Sequence, residues 1–226
     1  MVQNVETELA RLKREIEECL DCPLAENSPQ VVFGEGNPLS PFTIVGEGPG
    51  EREEMEGRPF VGRAGQLLDR VMAAVSLSRD EVWITNVLKR RASEIVNGRV
   101  KNRLPRANEL AAYKELLDRE LKIISPMIVL CLGNLAANVL IHRGFRMTRE
   151  HGQWFSGLYG RRLMATFHPA YILRLEGDAY DEVLSQTIQD FSSVTEEYRS
   201  LPKTMGNTQP PAEESQPQVV SPRARR

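Results

Sequence analysis

The sequence predicts an α/β protein, a three-layer α/β/α arrangement around a short, mostly parallel central sheet. Two observations carry this. Four short, apolar, β-branched runs alternate with segments of helical periodicity, and a glycine, asparagine or histidine turn follows each run. Parallel strands are buried on both faces and need helical crossovers, so they read as continuous apolar runs of this kind.

Leu9, Leu12, Ile16 and Leu20 fall at helical spacing, so residues 4–20 read as an amphipathic helix that ends at a Cys-x-x-Cys pair. The strands are TIV (43–45), VWIT (82–85), MIVLCLG (127–133) and LMATF (163–167). Helical patterns lie at about 64–75, 106–124, 134–142 and 178–199. In such a sheet the ligand site lies outside the carboxyl ends of the strands. GEGPG (46–50), Asn86, Gly133-Asn134 and His168 all fall just past a strand end, so they can converge on one crevice.

The chain has 226 residues, enough for one sizeable core; residues 1–200 are expected to form one domain. Residues 201–226, rich in proline, glutamine, serine and glutamate, are expected to be a disordered tail. A net charge of −2 gives no global nucleic-acid signal, so any affinity for DNA must come from local patches. No apolar run is long enough to cross a bilayer and no signal peptide is evident, so a cytoplasmic location without membrane contact is expected. Three cysteines argue against a secreted disulfide framework.

The segment GEGPGEREEMEGRPFVGRAGQLL (46–68) combines bare backbone with carboxylates. A glycine-rich turn leading into a helix presents outward N–H groups that can cradle an anion or a carbonyl oxygen. It is neither a phosphate-loop lysine motif nor a dinucleotide fingerprint, and glycine turns after strands are more often structural than functional.

Five segments taken together are more specific. GEGPGEREEMEGRPFVGRAGQLL, ITNVLKRR, PMIVLCLGNLAA, HGQW and TFHPAYILR resemble, in order and approximate spacing, the family 4 uracil-DNA glycosylases, over about residues 19–198. The resemblance implies a uracil-DNA glycosylase-like fold and a DNA-repair enzyme. Such an enzyme flips uracil out of DNA and hydrolyses its N-glycosidic bond, leaving an abasic site. The implied partner is uracil-containing DNA, single or double stranded, bound by a monomer.

The residues suit that chemistry, which needs a base pocket and stabilisation of a leaving base anion and a cationic sugar. Phe60 offers a face for a flipped pyrimidine, a stacking contact of about 1–3 kcal/mol. Asn86 can donate to uracil O4 and accept from N3–H, a pattern that cytosine reverses. His168, fixed in direction by Pro169, can donate to uracil O2 as negative charge develops there. Gly48 lies at the base, at the position where a sister family has a water-orienting aspartate. The base role therefore falls to Glu47, to orient water or counter the sugar cation, or to Glu53, which can also close the pocket beside uracil C5 where Gly50 leaves room. Glu51, Glu54 and Glu56 read as a solvated face, and His142 and His151 as structural.

Residues 89–106 form a basic loop with seven cations against one acid, and Lys89 and Arg91 in it are candidate phosphate contacts. Tyr171 and Arg174, after His168, are candidates to enter the duplex or grip a flanking phosphate.

The resemblance breaks at the cysteines. Family 4 enzymes carry a four-cysteine [4Fe–4S] site. Here Cys19 and Cys22 match its first pair, while Arg90 and Tyr113 stand at the other two positions. Cys131 sits in a buried strand and reads as a core thiol. Two thiolates do not make the usual cluster site, so no intact cluster is expected; packing and a cation–π contact between Arg90 and Tyr113 are expected in its place. Two alternatives stay open: a glycosylase for hypoxanthine or xanthine, and a silent nucleic-acid-binding homologue.

Overall fold

The computed structural model describes residues 2–19, 21–157 and 160–202. The readings of Leu20 and of the tail from residue 203 onward lie outside them.

The helix α1 (Val2–Glu18) is followed by a short edge strand β1 (Glu35–Gly36) and the first central strand β2 (Phe42–Gly46). Helices α2 (Glu51–Glu56) and α3 (Arg63–Ala74) lead to β3 (Trp83–Asn86). Strands β4 (Ser93–Val96) and β5 (Arg99–Asn102) precede α4 (Ala107–Ile124) and β6 (Ile128–Leu132). Then come α5 (Asn134–Leu140), α6 (Met147–Glu150), β7 (Phe155–Ser156), β8 (Arg162–Thr166), α7 (Pro169–Ile172) and α8 (Gly177–Ser200).

The main sheet runs β1-β3-β2-β6-β8-β7. Its four inner strands are parallel, with Ile44 opposite Ile84 and Leu130, and Leu130 opposite Met164. The two short edge strands are antiparallel to their neighbours. Alternation along each strand sorts the core into two layers. Ile128, Leu130, Leu132 and Met164 pack with Leu67, Leu68 and Val71 of α3 and Phe191 and Val194 of α8. Val129, Cys131 and Ala165 face the opposite way, toward Leu117 and Leu121 of α4 and Ala136 and Ala137 of α5. The face of α1 carrying Leu9, Leu12 and Ile16 is buried with Trp83 and Ile124. The core strands and long helices thus lie where the hydrophobic pattern put them, in three layers.

The basic loop of the sequence reading is instead a two-stranded ribbon, β4 and β5 paired antiparallel and separate from the main sheet. Its turn is Asn97-Gly98, both at positive φ (53° and 74°), the backbone that a tight two-residue hairpin demands. At its foot Arg103 donates to the Ser93 carbonyl at 3.2 Å and pairs through both terminal nitrogens with Glu109 of α4. Helix α2 was likewise not resolved as an element in the sequence; its acidic first turn of Glu51, Glu53 and Glu54 complements the helix dipole.

Candidate active site

The carboxyl ends of β2, β3, β6 and β8 open into a crevice of about 910 Å³. Glu47, Gly48, Glu53, Phe60, Asn86, Gly133, Asn134, His168, Tyr171 and Arg174 all line it. The convergence expected from strand ends is therefore real: residues as far apart in the chain as Glu47 and Arg174 meet because each follows an inner strand of one sheet.

Backbone bonds fix the floor. Val87 N–H donates to the Gly46 carbonyl at 2.9 Å and Leu88 N–H to the Glu47 carbonyl at 3.0 Å, so the turns after β2 and β3 are tied together. Phe60 and Asn86 then approach across Gly46. A Cβ on Gly46 would lie 2.4 Å from both Asn86 Oδ1 and Phe60 Cζ, so only glycine fits. Phe60 has φ of 54°, uncommon for a residue with a side chain, and the Arg79 guanidinium holds its carbonyl. Its ring lies 5.9 Å from that of His168.

Asn86 is 2% exposed, and its Oδ1 is buried with no hydrogen-bond partner within the protein. Leaving such an acceptor unmade in a folded protein costs about 1–3 kcal/mol, so an orphan that lines a crevice marks a place for a donor. From behind, the Asn86 carbonyl accepts from Lys89 Nζ at 2.7 Å.

His168 is the N-cap of α7, and its Nδ1 accepts from Ala170 N–H at 3.1 Å. That acceptor role leaves the proton of the neutral ring on Nε2. Burial, with the nearby Arg174 charge, pulls its pKa down to about 4, so the imidazole is a neutral Nε2–H donor at neutral pH. Burial raises the Glu47 pKa, while Leu135 N–H and the Arg174 charge partly oppose the rise. The two groups meet at Gly133, whose φ is 93°.

Glu53 is committed to the backbone. Its carboxylate accepts from Gly62 N–H at 2.8 Å, Val61 N–H at 3.0 Å and Gly50 N–H at 3.2 Å. It lines the crevice but braces the two glycine turns, so the geometry corrects its reading as a water-activating base. Glu54, read as part of a solvated face, holds Arg91 at 3.2 Å.

Two of the four expected DNA contacts are corrected. Lys89 is fully buried, donating to Thr85 Oγ1 at 2.6 Å, the Asn86 carbonyl and Glu120. Burial lowers its pKa against the opposing charge of Glu120. Arg91 is 5% exposed; its Nε donates to Asn102 Oδ1 at 2.7 Å, which with the Glu54 contact ties the ribbon to α2. Each cation is occupied by an acid or amide that arrives from elsewhere in the fold. Tyr171 and Arg174 do reach the rim: Tyr171 is 38% exposed, stacks on Phe167 at 5.9 Å and carries Arg174 at 5.8 Å from its ring. His142 bonds Glu150 and His151 bonds Asp190, consistent with structural roles.

The sequence reading missed Asn102 and Leu104 and saw Arg103 only as one cation of a basic loop, all three of which the ribbon brings to the crevice, and it missed the Leu135 N–H beside Glu47. The Asn97-Gly98 dipeptide between β-branched residues was the available signal for the ribbon.

At the cysteine positions, Cys19 and Cys22 are joined in a disulfide. Arg90 is buried and donates to the carbonyls of Ile16, Ser28 and Pro29. Tyr113 is buried and donates to the Pro23 carbonyl at 2.7 Å; burial pushes its phenol up to about 12, against the neighbouring Arg90 charge. Arg90 and Tyr113 are therefore anchored by carbonyls of α1 and of the loop after it. Two sulfurs, a guanidinium and a protonated phenol do not fit a [4Fe–4S] cluster. Cys131 is buried in β6, and burial raises its pKa.

Among the described residues no helix is long and apolar enough to cross a membrane. The family model for the uracil DNA glycosylase superfamily matches residues 33–192. The chain is 35% identical over 179 residues to a type-4 uracil-DNA glycosylase of Thermotoga maritima, covering 79% of this chain and 90% of that protein. It is 36% identical over 173 residues to one of Sulfurisphaera tokodaii (73% and 76% covered) and 33% identical over 203 residues to one of Saccharolobus solfataricus (85% and 88%). Fold, strand-end crevice and these matches agree, and the chain belongs to the type-4 family of the uracil DNA glycosylase superfamily.

Proposed function

We propose that the crevice excises uracil from DNA, with Phe60, Asn86, His168 and Glu47 as the residues that carry the reaction. The chain is a DNA-repair glycosylase, a hydrolase of N-glycosidic bonds. The observation that carries this assignment is the unpartnered Asn86 Oδ1 beside Phe60. A uracil stacked on Phe60 gives that oxygen its N3–H, and the Asn86 amide N–H donates to O4. Cytosine offers a bare N3 and an amino group there, which leaves donor facing donor. Gly48 lets the base lie close to the backbone.

As the bond from C1′ to the base nitrogen breaks, its electron pair passes to the base and charge collects on O2. His168 Nε2–H donates to that oxygen, and because the ring is already neutral it stabilises the anion without surrendering its proton. Glu47, made more basic by burial, stabilises the sugar cation and takes a proton from the water that bonds to C1′. Tyr171 and Arg174 contact the DNA flanking the flipped nucleotide. Residues 1–200 act as one domain and a monomer, in the cytoplasm, on single- or double-stranded DNA.

The type-4 family is known for an iron–sulfur cluster. In this chain Arg90 and Tyr113 take over the tethering of the end of α1 and of residues 23–29, and no cluster takes part.

The test is incubation with oligonucleotides carrying one uracil, hypoxanthine or xanthine, followed by alkali. Cleavage confined to uracil is expected. Cleavage at the purine bases instead would overturn the reading of Asn86, and binding without cleavage would make the chain a silent homologue.

A further inference from the structure

The β4–β5 ribbon is amphipathic in a way its charge count conceals. Residues directly opposite in an antiparallel pair share a face, and alternate residues along a strand share it too. Ser93 pairs with Asn102, and Ile95 with Val100, so these four lie on one face; Glu94, Val96, Arg99 and Lys101 lie on the other. Asn102 lines the crevice and is held by Arg91. The face shared by Ile95 and Val100 is therefore the one continuous with the crevice mouth. Ile95 is 76% exposed, Val100 52%, and Leu104, which lines the crevice just past the ribbon, 80%.

Exposed large apolar side chains in one patch mark an interaction surface. An isolated two-stranded ribbon is at best marginally stable in water, yet this one is fastened at its foot by Arg91 and Arg103, which holds its face in a fixed direction. Proteins that deform DNA insert apolar wedges beside cations, and β-ribbons enter DNA grooves. Here Arg106 is exposed just past the ribbon, and Arg99 and Lys101 are exposed on its opposite face.

We propose that this ribbon is a DNA-engaging arm, whose Ile95–Val100 face and Leu104 pack against the duplex flanking the flipped nucleotide, on the side of the crevice formed by Asn102. The arm rests on the reading of the crevice as the glycosylase site. It holds the duplex open at the lesion, so it contributes to long double-stranded substrates and not to substrates too short to reach it.

The test compares wild type and Ile95→Thr/Val100→Thr on a uracil-containing duplex and on a uracil-containing trinucleotide, with sedimentation of each protein. Threonine keeps the β-branched shape, so the ribbon persists. The expected result is a KM on the duplex raised about fivefold or more, with the rate on the trinucleotide unchanged. Unchanged duplex KM, or equal losses on both substrates, would overturn the arm. So would a wild-type dimer that the double variant converts to monomer, since the apolar face would then belong to a second copy. Failure of wild type to release uracil from either substrate would instead strike the reading of the crevice itself.

Discussion

Glu47 and His168 converge on Gly133: a Cβ built there would lie 2.7 Å from Glu47 Oε1 and 3.0 Å from His168 Cβ. The carboxylate and the imidazole proposed to act together are thus brought close by a position with no side chain, at a φ of 93° that only glycine adopts readily. Gly133→Ala is expected to lower kcat by about tenfold or more and to destabilise the fold by about 1–3 kcal/mol. Single-turnover excision and urea unfolding measure the two effects separately.

His168→Ala should reduce the excision rate by about 10²–10³-fold, the typical loss of one donor to a developing oxyanion. Because the His168 pKa is lowered to about 4, the rate of wild type should show no inflection at the ordinary histidine value of 6.5. The same shift governs stability. The unfolded chain binds a proton as pH falls through 6.5 while the folded chain resists until about 4, so this contribution to stability is present above 6.5 and lost progressively toward 4. A pH–rate profile that turns over at 6.5 would contradict the neutral donor.

Glu47→Gln separates function from stability. Burial raises this carboxyl above its ordinary value, so in the folded protein its ionised form is disfavoured relative to the unfolded chain. The stability tied to it is present below the unfolded value of 4.5 and lost as pH rises through the raised value. Removing the charge should raise Tm at neutral pH and lower kcat by about 10²-fold or more. Thermal melts at pH 7 beside excision assays provide the comparison; a lower Tm would show that the charge is compensated.

Lys89 and Arg174 should behave oppositely. Lys89→Met leaves Glu120 buried without its cation and is expected to cost about 3–5 kcal/mol in urea unfolding. Arg174→Gln should leave the fold intact and reduce the slope of log K against log salt by about 0.9, the signature of one lost phosphate contact. DNA-binding titrations at several salt concentrations decide the second. An unchanged slope would remove Arg174 from the phosphate contacts.

Arg90 is expected to serve where the family has a metal ligand. Arg90→Ala strands the carbonyls of Ile16, Ser28 and Pro29 and should destabilise the protein by about 3 kcal/mol or more. An iron chelator should shift the Tm of wild type by less than about 1 °C, since nothing that binds the folded state is withdrawn. Protein purified without oxygen and carrying about four irons per chain would overturn this account.

The inner strands and long helices were legible because their evidence is local. IVLCL and LMAT are apolar on both faces, and α3 and α4 show an unbroken helical period, so their limits fall within about two residues of the pattern. The crevice was legible for a related reason: Gly46, Asn86, Gly133 and His168 each sit at the carboxyl end of an inner strand, and parallel strands put those ends together.

Charge roles were not legible, because a cation's partner is chosen by the fold. Lys89 and Arg91 sat in a run of basic residues that local counting assigns to phosphate. Glu120 from α4 buries the first and Glu54 from α2 holds the second. The ribbon went unseen because Ile95 and Val100 are exposed, so no hydrophobic face turned toward the core announces it.

The sequence by itself determined which strands are buried and the residue types at the strand ends, since each is a property of neighbouring residues, and its resemblance to a family located the two absent cysteines. Only the tertiary structure decided that Glu53 is spent on three backbone N–H groups while Glu47 faces His168 across Gly133, which cations are buried, and that Asn86 keeps an acceptor unpaired. Those outcomes depend on which distant group arrives within hydrogen-bonding distance, and packing, not pattern, sets that distance.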